Sequence, residues 1–241
     1  MPANKPPETW SWSHDIKPTQ IDSVLTPGSR LIRLSSYGEG NRRRFAALAY
    51  AEPGVARSYA LDLDAARLAT MGSRPVAITV DTESVPRFTV VLDSGSGPPT
   101  SVHVDLDEAG LRALVDDQHG IADLATYVVA GTRRYAAIVE TRPGPSWLFT
   151  GVSAAELDAA LLAHDAALIR LRAYTDDGDD GRTRLVAAAE PARGARWAWY
   201  ADLDGDGVAK QLEANAAYPF DLDATRGDRG VRFTVVMYRQ P

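Results

Sequence analysis

The chain has 241 residues, 45% of them apolar, a formal net charge of −6 and no cysteine. That apolar share supports a sizeable core, and a mildly acidic balance without a basic stripe argues against nucleic acid or an anionic membrane as partner. The missing thiols exclude disulfides, thiolate metal sites and cysteine nucleophiles. No apolar run approaches the ~20 residues of a membrane span, and MPANKPPETW lacks the basic-then-apolar pattern of a secretory signal, so a cytoplasmic location is expected. Lysine occurs only as Lys5, Lys17 and Lys210 while arginine and alanine abound, which points to a GC-rich bacterial genome.

Residues 1–8 read as a flexible tail and 9–241 as one domain of five units, spanning about 9–54, 55–98, 99–144, 145–194 and 195–241. In the first unit WSWSHDI reads as a strand, Ile21, Val24 and Leu25 as the apolar face of a short helix, LIRLSSY as a second strand, and GEGNR as the turn into a third. The second unit repeats this with SYALDL, a helix bearing Leu68 and Met71, VAITVDTE, a turn at Ser84-Val85-Pro86, and RFTVVL. SVHVDL, then Leu111, Leu114 and Val115, then IADLATY, VAGTR and RYAAIV make the third. The fourth runs SWLFTGV, Leu157 with Leu161 and Leu162, LIRLRAY, TDDGDDGR and RLVAAA. The fifth runs RWAWYADL, Val208 with Leu212, PFDLDAT, RGDRG and RFTVVM.

The last strands open at Arg44-Phe45, Arg87-Phe88, Arg134-Tyr135, Arg184-Leu185 and Arg232-Phe233, at intervals of 43, 47, 50 and 48 residues. Asp64, Asp107 and Ser153 sit where a side-chain oxygen would cap a helix N-terminus. Each unit is therefore β-α-β-β, an α+β repeat that cannot cover its own sheet and helix. Five such units suit a closed pseudo-fivefold α/β propeller, which also removes exposed strand edges. The recurrent arginine reads as a structural device, pairing with carboxylates or helix-end carbonyls of the neighbouring unit.

The features Trp12, His14, Gly28-x-Arg30-Leu31, Tyr37 and Arg44-Phe45 resemble the bacterial tandem repeat domain, which stands among other places ahead of serine hydrolases related to polyglycine hydrolases. The resemblance covers the first unit well, the third and fourth more loosely, and the second and fifth least. It implies a structural repeat. The hydrolase half is missing and no Ser-x-x-Lys occurs, so serine chemistry does not carry over. The architecture is also similar to the pentein propeller, whose guanidine-acting members generally use a cysteine that this chain lacks.

Aligning the second strands gives three polar levels on one face. Arg33, Thr79, Asp123, Arg170 and Asp221 form the first; Ser35, Asp81, Ala125, Arg172 and Asp223 the second; Tyr37, Glu83, Tyr127, Tyr174 and Thr225 the third. If these strands line an axis, the levels surround a pocket for a small polar molecule or peptide. The alternative is that Arg33, Arg170, Asp123 and Asp221 neutralise one another as a structural salt network.

DLDGDGVAKQLE places Asp202, Asp204, Asp206, Gly207 and Glu213 at calcium-loop spacing, although helix capping explains Asp-Leu-Asp equally well and is the reading preferred here. His14 beside Asp15 is the candidate oriented acid-base pair, with Asp123 and Tyr127 as further catalytic candidates. Trp10, Trp12, Trp197 and Trp199 are expected to cluster where the first and fifth units meet. The leading reading is a non-catalytic binding module for a small polar ligand, peptide or protein partner, with no cofactor. The alternatives are an enzyme using acid-base or electrostatic catalysis in the same pocket, and a protein-interaction scaffold.

Overall fold

The computed structural model describes residues 6–25, 27–51, 57–81, 85–95, 97–175, 181–227 and 229–239. Pro7, within the expected tail, is buried. The protein is mostly β-sheet, with five three-stranded antiparallel sheets and few helices.

The first sheet contains β1 (Trp10–Ile16), β2 (Ser29–Tyr37) and β3 (Arg44–Ala51); the second contains β4 (Arg57–Leu63), β5 (Arg74–Asp81) and β6 (Arg87–Asp93). The third contains β7 (Thr100–Leu106), β8 (His119–Val129) and β9 (Thr132–Thr141); the fourth β10 (Trp147–Val152), β11 (Ala166–Thr175) and β12 (Thr183–Pro191). β13 (Trp197–Leu203), β14 (Ala217–Gly227) and β15 (Gly230–Arg239) complete the fifth. In every sheet the last strand is central, with the leading and middle strands at its edges. The apolar runs after each arginine explain this: Phe45, Phe88, Tyr135, Leu185 and Phe233 are all buried, as a strand covered on both faces requires.

Four units place a helix between the leading and middle strands: α1 (Ala65–Ala69), α2 (Glu108–Arg112), α3 (Ala154–His164) and α4 (Gly205–Ala214). Asp64, Asp107, Ser153 and Asp204 cap them, each accepting the amide three residues on. The first unit differs from expectation. It has two 3₁₀ turns, Pro18–Gln20 and Asp22–Val24, because the stretch between β1 and Pro27 is short and opens on a proline. Leu162 also departs from its expected apolar role: Leu157 and Leu161 are buried, but Leu162 is 85% exposed.

Each leading strand carries a bulge at the same place. Asp15, Asp62, Asp105 and Asp202 adopt φ of 57 to 59°, and Gly151 takes the fourth position at φ 67°. Aspartate tolerates this left-handed conformation better than most residues, so the two acids of Asp-Leu-Asp divide their work, the first turning the strand and the second capping the helix. In three units the arginine that opens the last strand meets the bulge of its own unit rather than a neighbour, and in the second unit Arg87 lies 3.7 Å from the helix cap Asp64. Arg44 lies 3.3 Å from Asp15, Arg134 3.4 Å from Asp105 and Arg232 3.5 Å from Asp202.

Neighbouring units are tied in one repeated sense. The leading strand of one unit lies on the helix or turn region of the unit before: Tyr59 Oη donates to Asp22 (2.8 Å), Thr150 Oγ1 to Glu108 (2.7 Å) and Trp199 Nε1 to Asp158 (2.9 Å). Trp10 and Trp12 of the first unit pack against Val208 and Leu212 on α4 of the fifth. The phenols follow the same sense: Tyr238 donates to the Leu168 carbonyl of the fourth unit, and Tyr50 to the Pro219 carbonyl of the fifth. β2 lies beside β5 and β14, β8 beside β5 and β11, and β11 beside β14.

A paired substitution tests the core assignment. Leu161→Ala is expected to cost about 2–5 kcal/mol in urea unfolding, and Leu162→Ala, one residue on, to leave stability within about 0.5 kcal/mol.

Candidate functional site

The middle strands carry the candidate residues, and their register corrects one of the expected levels. All five bulge at one position, skipping Ile32, Val76, Ala122, Ile169 and Phe220. Counting from the bulge, the first level is Arg33, Ala77, Asp123, Arg170 and Asp221, each opposite the residue three beyond the last strand's aromatic or leucine. Thr79 therefore belongs with Ser35, Ala125, Arg172 and Asp223, and Asp81 with Tyr37, Tyr127, Tyr174 and Thr225. The expected alignment placed the second unit two residues early. A slip of two keeps every side chain on its face, so alternation alone could not expose it. Glu83 lies outside the described residues.

The first two levels form a buried network. Arg33 Nη1 pairs with Asp123 Oδ2, and Arg33 also lies 3.7 Å from both Asp221 and Asp223. Arg172 reaches Asp123 at 2.7 Å and Asp221 at 2.5 Å, and Arg170 Nε stands 3.1 Å from Asp123. Arg33, Arg172, Asp123 and Asp221 are each at most 2% exposed. Three guanidinium groups face three carboxylates, so the buried charge sums to zero, the condition under which such a group is tolerated away from water.

The same side chains satisfy the free backbone edge of the preceding unit's strand. The amide just after each level position donates to the side chain at that level in the following unit. Ile78 N donates to Asp123 (2.6 Å) and Leu171 N to Asp221 (3.0 Å) at the first level. Ser36 N donates to Thr79 Oγ1 (3.1 Å) and Ala224 N to Ser35 Oγ (2.9 Å) at the second. At the remaining junction the polarity reverses, with Arg172 Nε donating to the Leu124 carbonyl at 2.8 Å. Among the described residues, each of these five bonds joins middle strands of two different units.

Burial alone would raise Asp221, but Arg172, Arg33 and Arg170 outweigh it and hold its carboxyl down to about 2. Burial would likewise lower Arg172, and Asp221, Asp223 and Asp123 overcome that and raise it. Asp221 and Arg172 are both favoured in their charged forms by their partners.

Toward the hairpin ends the strands diverge around a cavity of about 970 Å³. Arg172, Asp223 and Thr79 stand at its floor, Tyr37, Tyr127, Tyr174 and Thr225 along its wall, and Arg42, Arg226 and Arg229 among its rim residues. Two of the tyrosines are struts. Tyr37 Oη accepts from Asp15 N (2.7 Å) and Tyr127 Oη from Asp105 N (2.9 Å), so each phenol ties a hairpin to the bulge of its own leading strand. Burial raises both phenols above their ordinary value, and the amides offset part of it. Tyr174, opposite the Gly151 bulge, instead lies under the Arg133 guanidinium, whose Cζ is 4.3 Å from the phenol ring centroid.

Asp81 does not line this cavity. Its carboxylate lies 2.7 Å from Arg43 Nε, and Arg43 also pairs with Asp62 and donates to Thr89, locking the first unit to the second. Arg43 escaped sequence analysis because it sits inside Arg42-Arg43-Arg44, where only the residue before the aromatic had a repeated role.

The other candidates disperse. His14 stacks on Trp12 with ring centroids 5.5 Å apart and rests against Phe233, whereas Asp15 points to Arg44, so the two form no acid-base pair. Trp10, Trp12, Trp197 and Trp199 all pack against one large apolar cluster; Trp10 and Trp12 also pack on the cluster that includes Val208 and Leu212 of α4, and Trp199 Nε1 donates to Asp158 on α3. In the stretch at calcium-loop spacing, Asp202 is a strand bulge bonded to Arg229 (2.9 Å), and Asp204 spends Oδ1 on the Gly207 amide (2.7 Å). Asp206 and Glu213 lie within helix α4, so the stretch is strand end, cap and helix rather than a loop. No group of three or more potential metal ligands occurs among the described residues. No helix among the described residues is long and apolar enough to cross a membrane.

The chain matches no family model and no curated protein, so its chemistry is argued from this geometry.

The network predicts an acid limit. A carboxyl depressed in the folded state contributes stability that is present above its unfolded pKa and lost as pH falls through the folded one. Stability should therefore decline between pH of about 4 and about 2 as Asp221 is protonated, read by urea midpoints across that range. Asp123→Asn, which leaves Arg33 and Arg172 short of a buried partner, should cost about 3–5 kcal/mol at pH 7.

Proposed function

We propose that the five units close into an α/β propeller and that the cavity at its hairpin end binds a small polar molecule or peptide without covalent chemistry. Closure is supported by the order of contacts: the ties that join each unit to the one before it also join the first to the fifth, through Tyr50 to Pro219, Ser35 to Ala224, and Trp12 on α4. Closure is also the arrangement in which all five middle strands have the same kind of neighbour on either side. The unit pattern and the Trp12, Gly28, Arg30 and Arg44-Phe45 features support reading the chain as a member of the bacterial tandem repeat class.

The binding reading rests on one observation: a cavity of about 970 Å³ into which wall residues from four units converge above a charge-neutral floor. That volume is within the usual range for small-molecule sites. Its floor is rigid, being the salt network itself, and rigid polar groups lower the cost of ordering a ligand. The tyrosines weigh toward binding over proton transfer, since Tyr37 and Tyr127 accept backbone amides and are raised by burial.

Two measurements bear on this proposal. A closed ring of 241 residues should scatter with a radius of gyration of about 18 Å, and a clearly larger value would mean an open arc. A thermal-shift screen of sugars, amino acids, nucleotides and short peptides should find a ligand that stabilises the protein. Thr225→Trp, which fills the exposed wall of the cavity, should abolish that shift without lowering the ligand-free midpoint. An unchanged shift in Thr225→Trp would place the ligand elsewhere, and a wholly silent screen would remove the case for a binding site.

A further inference from the structure

Where the first and fifth units meet lies a second groove, of about 420 Å³, which shares no lining residue with the larger cavity. One wall is Trp10 and Trp12, two positions apart on β1 and therefore on one face of the strand, both half-buried. The other wall is the face of α4 that carries Ala209, Leu212 and Glu213, continued by Ala216 just past the helix end. Buried Leu212 packs the helix against both indoles, while Ala209 and Ala216 are exposed and too short to cover them, so a groove remains.

Glu213 is exposed, and its carboxylate makes no hydrogen bond or ion pair among the described residues, not even with Lys210 on the same helix. Apart from the two indole N–H groups it supplies the only polar side-chain atoms of the groove, since every other lining residue is alanine or leucine. Indole ring faces attract a cation more strongly than any other aromatic side chain, and a free carboxylate adds the counter-charge. Few hydrogen-bonding partners are on offer. A sugar would give up water from most of its hydroxyls without replacement, and a primary ammonium would strand N–H donors against the alanines. A nitrogen whose donors are replaced by methyl groups incurs neither cost. We infer that this groove binds a quaternary ammonium group carried on a small molecule. Its volume falls in the range of small-molecule sites, and the inference does not rest on the reading given to the larger cavity.

The test titrates the full chain, at constant ionic strength, with choline and with the neutral alcohol in which carbon replaces the choline nitrogen, read by tryptophan fluorescence and calorimetry. Choline should saturate and bind about tenfold more tightly than the neutral alcohol. Glu213→Gln, on an exposed helix face, should keep the parent's thermal midpoint, weaken choline about two- to fivefold and leave the alcohol unaltered. Trp10→Leu, which retains apolar bulk beside Leu212 but removes a ring face, should weaken choline about tenfold. If that variant fails to fold, the neutral alcohol and Glu213→Gln still decide the matter. Equal affinity for choline and the alcohol would make the groove merely apolar and overturn the inference. So would a choline affinity indifferent to Glu213→Gln, the absence of any saturable response to choline, or a response to glucose at lower concentration than to choline.

Discussion

The constraint on which the rest depends is the free edge of the middle strand. Each three-stranded sheet places this strand at an edge, and each is surrounded by other units rather than by water. Its outward amides and carbonyls need partners, because a buried backbone group left unpaired costs about as much as a lost hydrogen bond. No further strand is at hand to pair with. The partners are instead side chains from the following unit: carboxylates at two junctions, hydroxyls at two and a guanidinium at one. The polar face is thus the means by which separate sheets pack edge to edge.

Electrostatics then limits which polar residues can serve. A carboxylate that accepts an amide in a dry place brings a charge with it, and Asp123 and Asp221 are compensated by Arg33, Arg170 and Arg172. The hydroxyls of Ser35 and Thr79 do the same backbone work without a charge, and where Ala77 and Ala125 occupy a level the neighbouring residues take up the task. One geometric device is therefore executed with different chemistry at each junction. The asymmetry continues toward the hairpins, where Tyr37 and Tyr127 are held by their bulges, Asp81 by Arg43, and Tyr174 by a stacked guanidinium and a hydrogen bond with Tyr135. That unevenness is what distinguishes one wall of the cavity from another.

Much of the architecture was legible because it recurs. The arginine-aromatic dipeptide, the alternating middle strand and the helix caps each repeat, and a repeated local signal survives errors in any single copy. Site geometry was legible only as a face. Alternation reports which side of a strand a residue is on but not how far along it lies, so Thr79 and Asp81 were assigned to the wrong levels while remaining on the correct side. The pairing of Asp-Leu-Asp into a bulge and a cap was hidden because one residue type serves both purposes. Arg43 was hidden by two arginine neighbours.

The buried charges also bear on how five similar units keep their order. Purely apolar middle strands could satisfy the hydrophobic term with the five units in several arrangements, since burial is non-directional. Ion pairs are not interchangeable in that way. Asp123 is approached by Arg33, Arg170 and Arg172 from two other units, and an exchange that set Arg172 against Arg33 without an aspartate between them would bury uncompensated charge. The same three arginines and three aspartates that contribute little net stability over an apolar core therefore supply a physical distinction between right and wrong neighbours. In a protein built from one repeated pattern, that distinction has to come from the positions where the copies differ, and the first and second levels are where these differences carry charge.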